Sequence, residues 1–273
     1  MAKPFIGYRS VLREAGVTVT DPGSDSGYPI ANVEDLRSVP LWRSSVTTSP
    51  INIDIDTGAG GMDADYIGFV NHNLTTLGAT VKVMADAASP ATTQRLAATA
   101  PSTDNVAILQ FTAPGAQRYW RVQIAHAAPP FAAKPFIGEM FLGRKTTLNE
   151  YLSASFEPFF RDVEAASGEE SEGGHFLGVT LRGQQHRGTL SLGGPAGVAR
   201  ADFTADLNAF ITNHVDKRYP FLFAVDTDDT DFAVARYIKM TTGGRVRRSA
   251  IGGTWQRLTF EFPVETAFME PVA

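Results

Sequence analysis

Ile51-Asn52-Ile53-Asp54-Ile55-Asp56-Thr57-Gly58 places three isoleucines on one side of an extended chain and Asn52, Asp54 and Asp56 on the other. A period of two is the mark of a strand with one face buried and one face wet. Val81 and Val83 repeat the pattern around Lys82, and Trp120, Val122 and Ile124 repeat it against Arg121 and Gln123. Ile30–Val33, Leu41–Ser44, Tyr66–Leu74 and Ile137–Gly143 add further strand signatures. Asp21-Pro22-Gly23, Gly58-Ala59-Gly60-Gly61 and Ala113-Pro114-Gly115 supply the turns between them. Val33–Val39 leaves room for one short helical turn, and no long amphipathic helix interrupts the series. Residues 17–144 therefore read as one small β-sandwich, an order that suits a binding or structural module.

The chain has 273 residues, enough for one large domain or two ordinary ones. Hydrophobic residues make up 43% and charged residues 19%, which predicts a packed globular protein. A net charge of −5 argues against sequence-independent nucleic-acid binding, which needs cations to neutralise phosphates. With no cysteine there is no disulfide framework, no thiolate zinc site and no cysteine nucleophile. Met1–Gly7 lacks an apolar signal region, which predicts no classical secretion, and no apolar run is long enough for membrane insertion.

After Leu142-Gly143-Arg144 the pattern changes, which divides the chain into residues 1–144 and 145–273. Tyr151–Phe160 reads as a strand. Val163–His175, rich in Gly, Ser, Ala and Glu, reads as a long exposed loop or arm. Phe176–Arg182 and Gly188–Leu192 read as a hairpin turning at Gly183-Gln184-Gln185. Asp202–Val215 is the one predicted helix, with Phe203, Leu207, Phe210, Ile211 and Val215 on one face and Asp202 as its N-cap. Tyr219–Val225, Phe232–Met240 and Thr254–Glu265 complete a second β-rich domain. Ala-Lys-Pro-Phe-Ile-Gly occurs at residues 2–7 and again at 133–138, with different flanks.

The order Trp42-Arg43-Ser44, Ile51–Gly58, Tyr66–Asn73, Tyr119-Trp120-Arg121-Val122 and Phe136-Ile137-Gly138-Glu139 resembles the discoidin, or coagulation factor 5/8 type C, family of galactose-binding-like jelly rolls. The variant Asn-Val, Trp-Arg, Asp-Thr-Gly, Asn-His-Asn-Leu is similar to the form found in tailed-bacteriophage tail proteins. The layout of residues 145–273 resembles the belt domain of phage distal tail proteins. The resemblance implies an all-β protein, a galactose-binding-like jelly roll followed by a belt-like β-sandwich with one helix at about 202–215. It also implies a structural virion protein at the tail tip or baseplate of a siphovirus-like particle, made in the bacterial host cytoplasm. Such a protein forms a homo-oligomeric ring, a hexamer or a trimer, that joins the tail tube to hub and fibres. The alternative is an adhesion module that binds bacterial surface glycans.

No arrangement of nucleophile, base or metal ligand points to catalysis. There is no Gly-x-Ser-x-Gly elbow, P-loop or dinucleotide fingerprint, and no cofactor is expected. His126, His175, His186 and His214 lack zinc-site spacing. Asp54, Asp56, Asp63 and Asp65 bracket a Gly-rich turn without an EF-hand pattern and read as solvated carboxylates. Trp42, Arg43, His72 and Asn73 are candidates for facing a ligand. The competing readings are a buried indole under the Arg43 stem and an Asx-type turn at Asn71–Asn73. Tyr28, Trp42 and Tyr66 are the aromatics available to a sugar. Glu169 and Glu170 on the arm, Asp228 and Asp229 in the acidic run Asp226–Asp231, and Arg245 and Arg247 on a basic turn are candidates for contacts between subunits.

Overall fold

A computed structural model describes residues 5–37, 39–147, 161–170, 176–192, 198–199, 207–224, 235–250 and 257–267. The chain is all-β apart from one short helix among the described residues, and it forms two compact units. One comprises Phe5–Thr147 with Leu222–Ala235, and the other contains Leu148–Phe221 and Arg236–Ala273. No described helix is long and apolar enough to cross a membrane.

In the first unit β1 (Phe5–Gly7) precedes nine strands: β2 (Thr18–Thr20), β3 (Trp42–Arg43), β4 (Ile51–Asp56), β5 (Tyr66–His72), β6 (Ala79–Asp86), β7 (Gln94–Thr99), β8 (Val106–Gln110), β9 (Tyr119–His126) and β10 (Phe136–Gly143). They form a five-stranded antiparallel sheet in the order β2-β4-β9-β6-β7 and a four-stranded one in the order β3-β10-β5-β8. β1 pairs on one side with β11 (Thr146–Thr147) and on the other with Leu222–Ala224 of β15 (Phe221–Ala224).

The alternation along β4 is seen directly: Ile51, Ile53 and Ile55 are buried and Asn52, Asp54 and Asp56 are half-exposed. Val81, Val83, Trp120, Val122 and Ile124 extend this inner face, and Ile67, Phe69, Met140 and Leu142 meet it from the other sheet. β10 is buried on both faces because 3-10 turns at Val11–Arg13 and Ile30–Glu34 pack on its outer side, and β5 is covered there by Phe5, edge-on to Tyr66 at 5.1 Å, and by Leu222 beside Gly68. Close approach there leaves no room for a side chain at two glycines. A Cβ at Gly143 would run into the Arg9 carbonyl, and one at Gly68 would run into the Leu222 side chain.

A buried contact between Arg13 and Glu139 spans this outer layer. Arg13 reaches Glu139, whose side chain is fully buried, while donating to the Glu34 carbonyl at 2.9 Å and lying 4.3 Å over the Phe141 ring. Burial pushes the Glu139 carboxyl up to about 8 against the pull of the guanidinium.

Several elements differ from the sequence expectation. Ile30–Val33 is a 3-10 turn rather than a strand. Asn32 donates its side-chain amide to the Leu41 carbonyl at 2.9 Å, and Val33 fills the core, so tertiary contacts outweigh strand propensity. β7 and β8 carry no strand signature in the sequence. β7 has a single buried apolar residue, Leu96, and β8 is buried at four successive positions, so neither shows a period of two. The hexapeptide copies end in β1 and begin β10, strands with different partners.

In the second unit β18 (Arg257–Thr266) pairs with β13 (Phe176–Leu192), β14 (Val198–Ala199), β16 (Arg236–Met240) and β17 (Arg247–Ala250). Arg161–Glu170, expected within the strand-free arm from Val163 onward, is instead β12, paired along β13 from Arg187 to Phe176. Ladder hydrogen bonds hold it, which a strand with few large apolar residues can make without a core of its own. Gly183 is not a hairpin turn either. β13 runs through it, and the register slips between Glu164 and Ala166 opposite Gln184 and Leu181, so the flexible glycine sits in a β-bulge.

Within the predicted helix, the described part is α1 (Asn208–Phe210) continuing into a π-turn at Ile211–Val215. Leu207, Phe210, Ile211 and Val215 are buried as the spacing requires, and Phe210 meets Phe221 edge-on at 4.8 Å. Tyr151–Phe160, Asp202, Phe203, Phe232 and the acidic run Asp226–Asp231 lie outside the described residues.

Candidate functional site

At one end of the sandwich the β2–β3 connection, the end of β3 and the loop before β10 converge. Backbone bonds set the approach: Asp25 donates its N–H to the Arg43 carbonyl at 2.8 Å, and Arg43 donates to the Tyr28 carbonyl at 3.3 Å. The Arg43 guanidinium lies 4.0 Å over the Tyr28 ring. Its Nε and Nη2 both reach Asp25 Oδ2 at 2.8 Å. Lys134 Nζ reaches the same oxygen at 3.1 Å. Two cations thus share one carboxylate oxygen, and the Lys134 hydrogen bond holds the Asp25 carboxyl below its usual range. All four side chains are partly exposed. The group offers an aromatic ring, a carboxylate and two positive donors without serving the core.

Asn73 fastens this end. Its Oδ1 accepts from the Phe136 N–H at 2.9 Å and its Nδ2 donates to the Lys134 carbonyl at 3.1 Å, which positions the strand start beside the cluster. Two of the expected ligand-facing residues point inward, and that expectation is corrected. Trp42 is fully buried and donates its indole N–H to Asp21 Oδ2 at 2.9 Å. His72 is buried, accepts from the Leu74 N–H at 3.2 Å, and is driven down to about 4 by burial, so its ring is neutral near pH 7. An indole and a neutral ring both gain more from the core than from water. Tyr66 is also buried, with its hydroxyl donating to the Arg9 carbonyl at 2.6 Å. Asp25 and Lys134 escaped the sequence reading. Lys134 sits in the second copy of the repeated hexapeptide, the one local signal that could have drawn attention to it.

The four turn-flanking carboxylates are engaged by cations. Asp54 pairs with Arg121, Asp56 with Arg118, and Asp63 and Asp65 with Arg144. Among the described residues no group of three His, Asp or Glu side chains is placed to hold a metal ion. In the second unit Arg245 and Arg247 are exposed and line a cleft with Thr189, Glu261 and Pro263. Glu169 and Glu170 lie on β12, opposite Gly178 and Phe176. Asp228 and Asp229 lie outside the described residues.

No protein-family model and no curated protein matches the chain. Solved structures similar to it include the module CpGH89CBM32-6 produced by Clostridium perfringens, at 13% identity over 49% of this chain and 98% of that one, with a TM-score of 0.38. Chitosan-binding module 1 of a chitosanase/glucanase from Paenibacillus sp. IK-5 is 17% identical over 50% of this chain and 98% of that one, with a TM-score of 0.39. A Ruminococcus gnavus GH29 fucosidase is 16% identical over 50% of this chain and 27% of that one, with a TM-score of 0.40.

Proposed function

We propose that the sandwich is a carbohydrate-binding module of the galactose-binding-like kind, and that it recognises bacterial surface glycans through Tyr28, Arg43, Lys134 and Asp25. The observation that carries this reading is the placement of Arg43 and Lys134 on a single oxygen of Asp25 beside a partly exposed tyrosine. Sugars are bound by aromatic rings against their C–H faces and by fixed polar groups on their hydroxyls. Cations that share one carboxylate oxygen keep donor capacity, which favours glycans with carboxylate or phosphate groups. Arg43→Ala is expected to weaken binding of the full chain to acidic glycans on an array by about tenfold or more, the loss of one charged hydrogen bond. Tyr28→Ala is expected to do the same. Unchanged binding by both variants, with native tryptophan fluorescence, would reject this site.

A second reading is a ring-forming structural protein of a phage tail tip, linking tail tube to baseplate hub. What supports it is the β12–β13 ribbon. Among the described residues Phe176–His186 pairs with β12 alone, and the outer edge of β12 has no strand partner. An unpaired edge is a template for another chain. Deleting residues 165–174 is expected to convert a ring of six or three copies to monomer, read by light scattering coupled to size exclusion. A monomeric parent protein under all conditions would count against homo-oligomeric assembly.

A further inference from the structure

The other end of the sandwich carries a second polar cleft, on the outer face of the five-stranded sheet. The register builds it. Thr18, Asp56 and Tyr119 stand side by side across β2, β4 and β9, and Thr20, Asp54 and Arg121 form the next row. The β6–β7 turn supplies a wall through Pro90. That turn is pinned by Asp86: the Thr93 side chain, and the Thr92 and Thr93 N–H groups that donate to its Oδ2 at 2.5 and 2.8 Å, hold its carboxyl well below the usual range. The cleft encloses about 240 Å³. Sites that swallow a drug-sized ligand run to roughly 300–1,000 Å³, so this one suits a single sugar ring.

Its charge chemistry differs from that of the Tyr28 end. Asp56 is matched by Arg118 at 2.9 and 3.0 Å, and Asp54 by Arg121 at 2.6 and 2.9 Å. Each carboxylate meets its own fork-shaped guanidinium, so the pairs cancel and impose no net charge on a ligand. Matched pairs also resist a divalent cation, which would have to strip both arginines. Each carboxylate still has lone pairs for a hydroxyl donor. Thr18 and Thr20 are exposed and add hydroxyls that give or accept. The Tyr119 ring, partly exposed and braced by Arg118 at 4.8 Å, and the exposed Pro90 offer apolar surface to the C–H face of a pyranose.

We infer that this cleft is a saccharide site in its own right, specific for a single neutral pyranose. The site stands apart from the Tyr28 cluster and does not depend on it. The test titrates the full-length protein with the neutral methyl glycosides of galactose, glucose and mannose, followed by NMR and calorimetry. At least one should bind. The double variant Thr18→Val, Thr20→Val keeps β-branched residues on the strand, and it should weaken that binding by about tenfold. Tyr119→Ala should do so as well, and Tyr28→Ala should leave it unchanged. Three outcomes would overturn the inference: no neutral glycoside bound, binding that responds to Tyr28→Ala and not to the threonine pair, or calcium binding lost in Asp54→Asn. Loss of acidic-glycan binding at Arg43 would bear only on the other end.

Discussion

Trp42→Ala is expected to destabilise the first unit by about 3–5 kcal/mol, the cost of emptying a large aromatic site in a packed core. Trp42 is one of the largest fully buried side chains, on a strand whose one strand partner among the described residues is the start of β10. The core around it is closed by Ile137, Met140 and other residues of both sheets, so little can collapse into the space. Truncation also removes the indole N–H that Asp21 Oδ2 accepts at 2.9 Å. Trp42→Phe keeps most of the volume and loses the hydrogen bond, and about 1–2 kcal/mol is expected from it. Urea denaturation followed by tryptophan fluorescence separates the two, with an unchanged slope as the control. An alanine variant within about 1 kcal/mol of the parent would place Trp42 outside the core.

The second large effect is a pH dependence carried by Glu139. Its side chain is fully buried, and its carboxyl stands at about 8 against an ordinary value of 4.5. An acid raised on folding favours the protonated form in the native state. The stability it contributes is fully present below pH 4.5 and is lost as pH rises through about 8. The full window is worth at most roughly 5 kcal/mol at 1.36 kcal/mol per unit. Glu139→Gln keeps a hydrogen-bond acceptor for Arg13 and removes the titration. The variant is expected to flatten the decline in the urea midpoint between pH 4.5 and about 8 and to exceed the parent protein above pH 8. Parallel pH profiles would show that Arg13 fully compensates the buried carboxylate. His72 acts in the opposite direction: its neutral ring is favoured by burial, and the stability this gives is present above pH 6.5 and lost as pH falls through about 4.

The sandwich was legible in chain order because its signals are local. Alternation in β4, β6 and β9 requires only that one face be buried, and every residue carries that information with its nearest neighbours. The helical face of Leu207, Phe210, Ile211 and Val215 was legible for the same reason. Where both faces are buried or nearly none is, as in β8 and β7, the period vanishes and the strands escape a local reading. β12 escaped because its pairing partner, not its composition, makes it a strand.

The candidate sites depended on tertiary structure to a greater degree. Trp42 and Arg43 are adjacent in sequence, yet the pleat turns one into the core and the other toward Tyr28. Lys134 and Asp25 are 109 residues apart and meet only because β10 pairs with β3. The rows of Thr18, Asp56 and Tyr119 exist only through cross-strand register. By itself the sequence determined which segments hide an apolar face, since hydrophobic burial acts residue by residue. Which polar groups converge on one oxygen or share one cleft was decided by the fold, since those meetings depend on long-range pairing that no local pattern encodes.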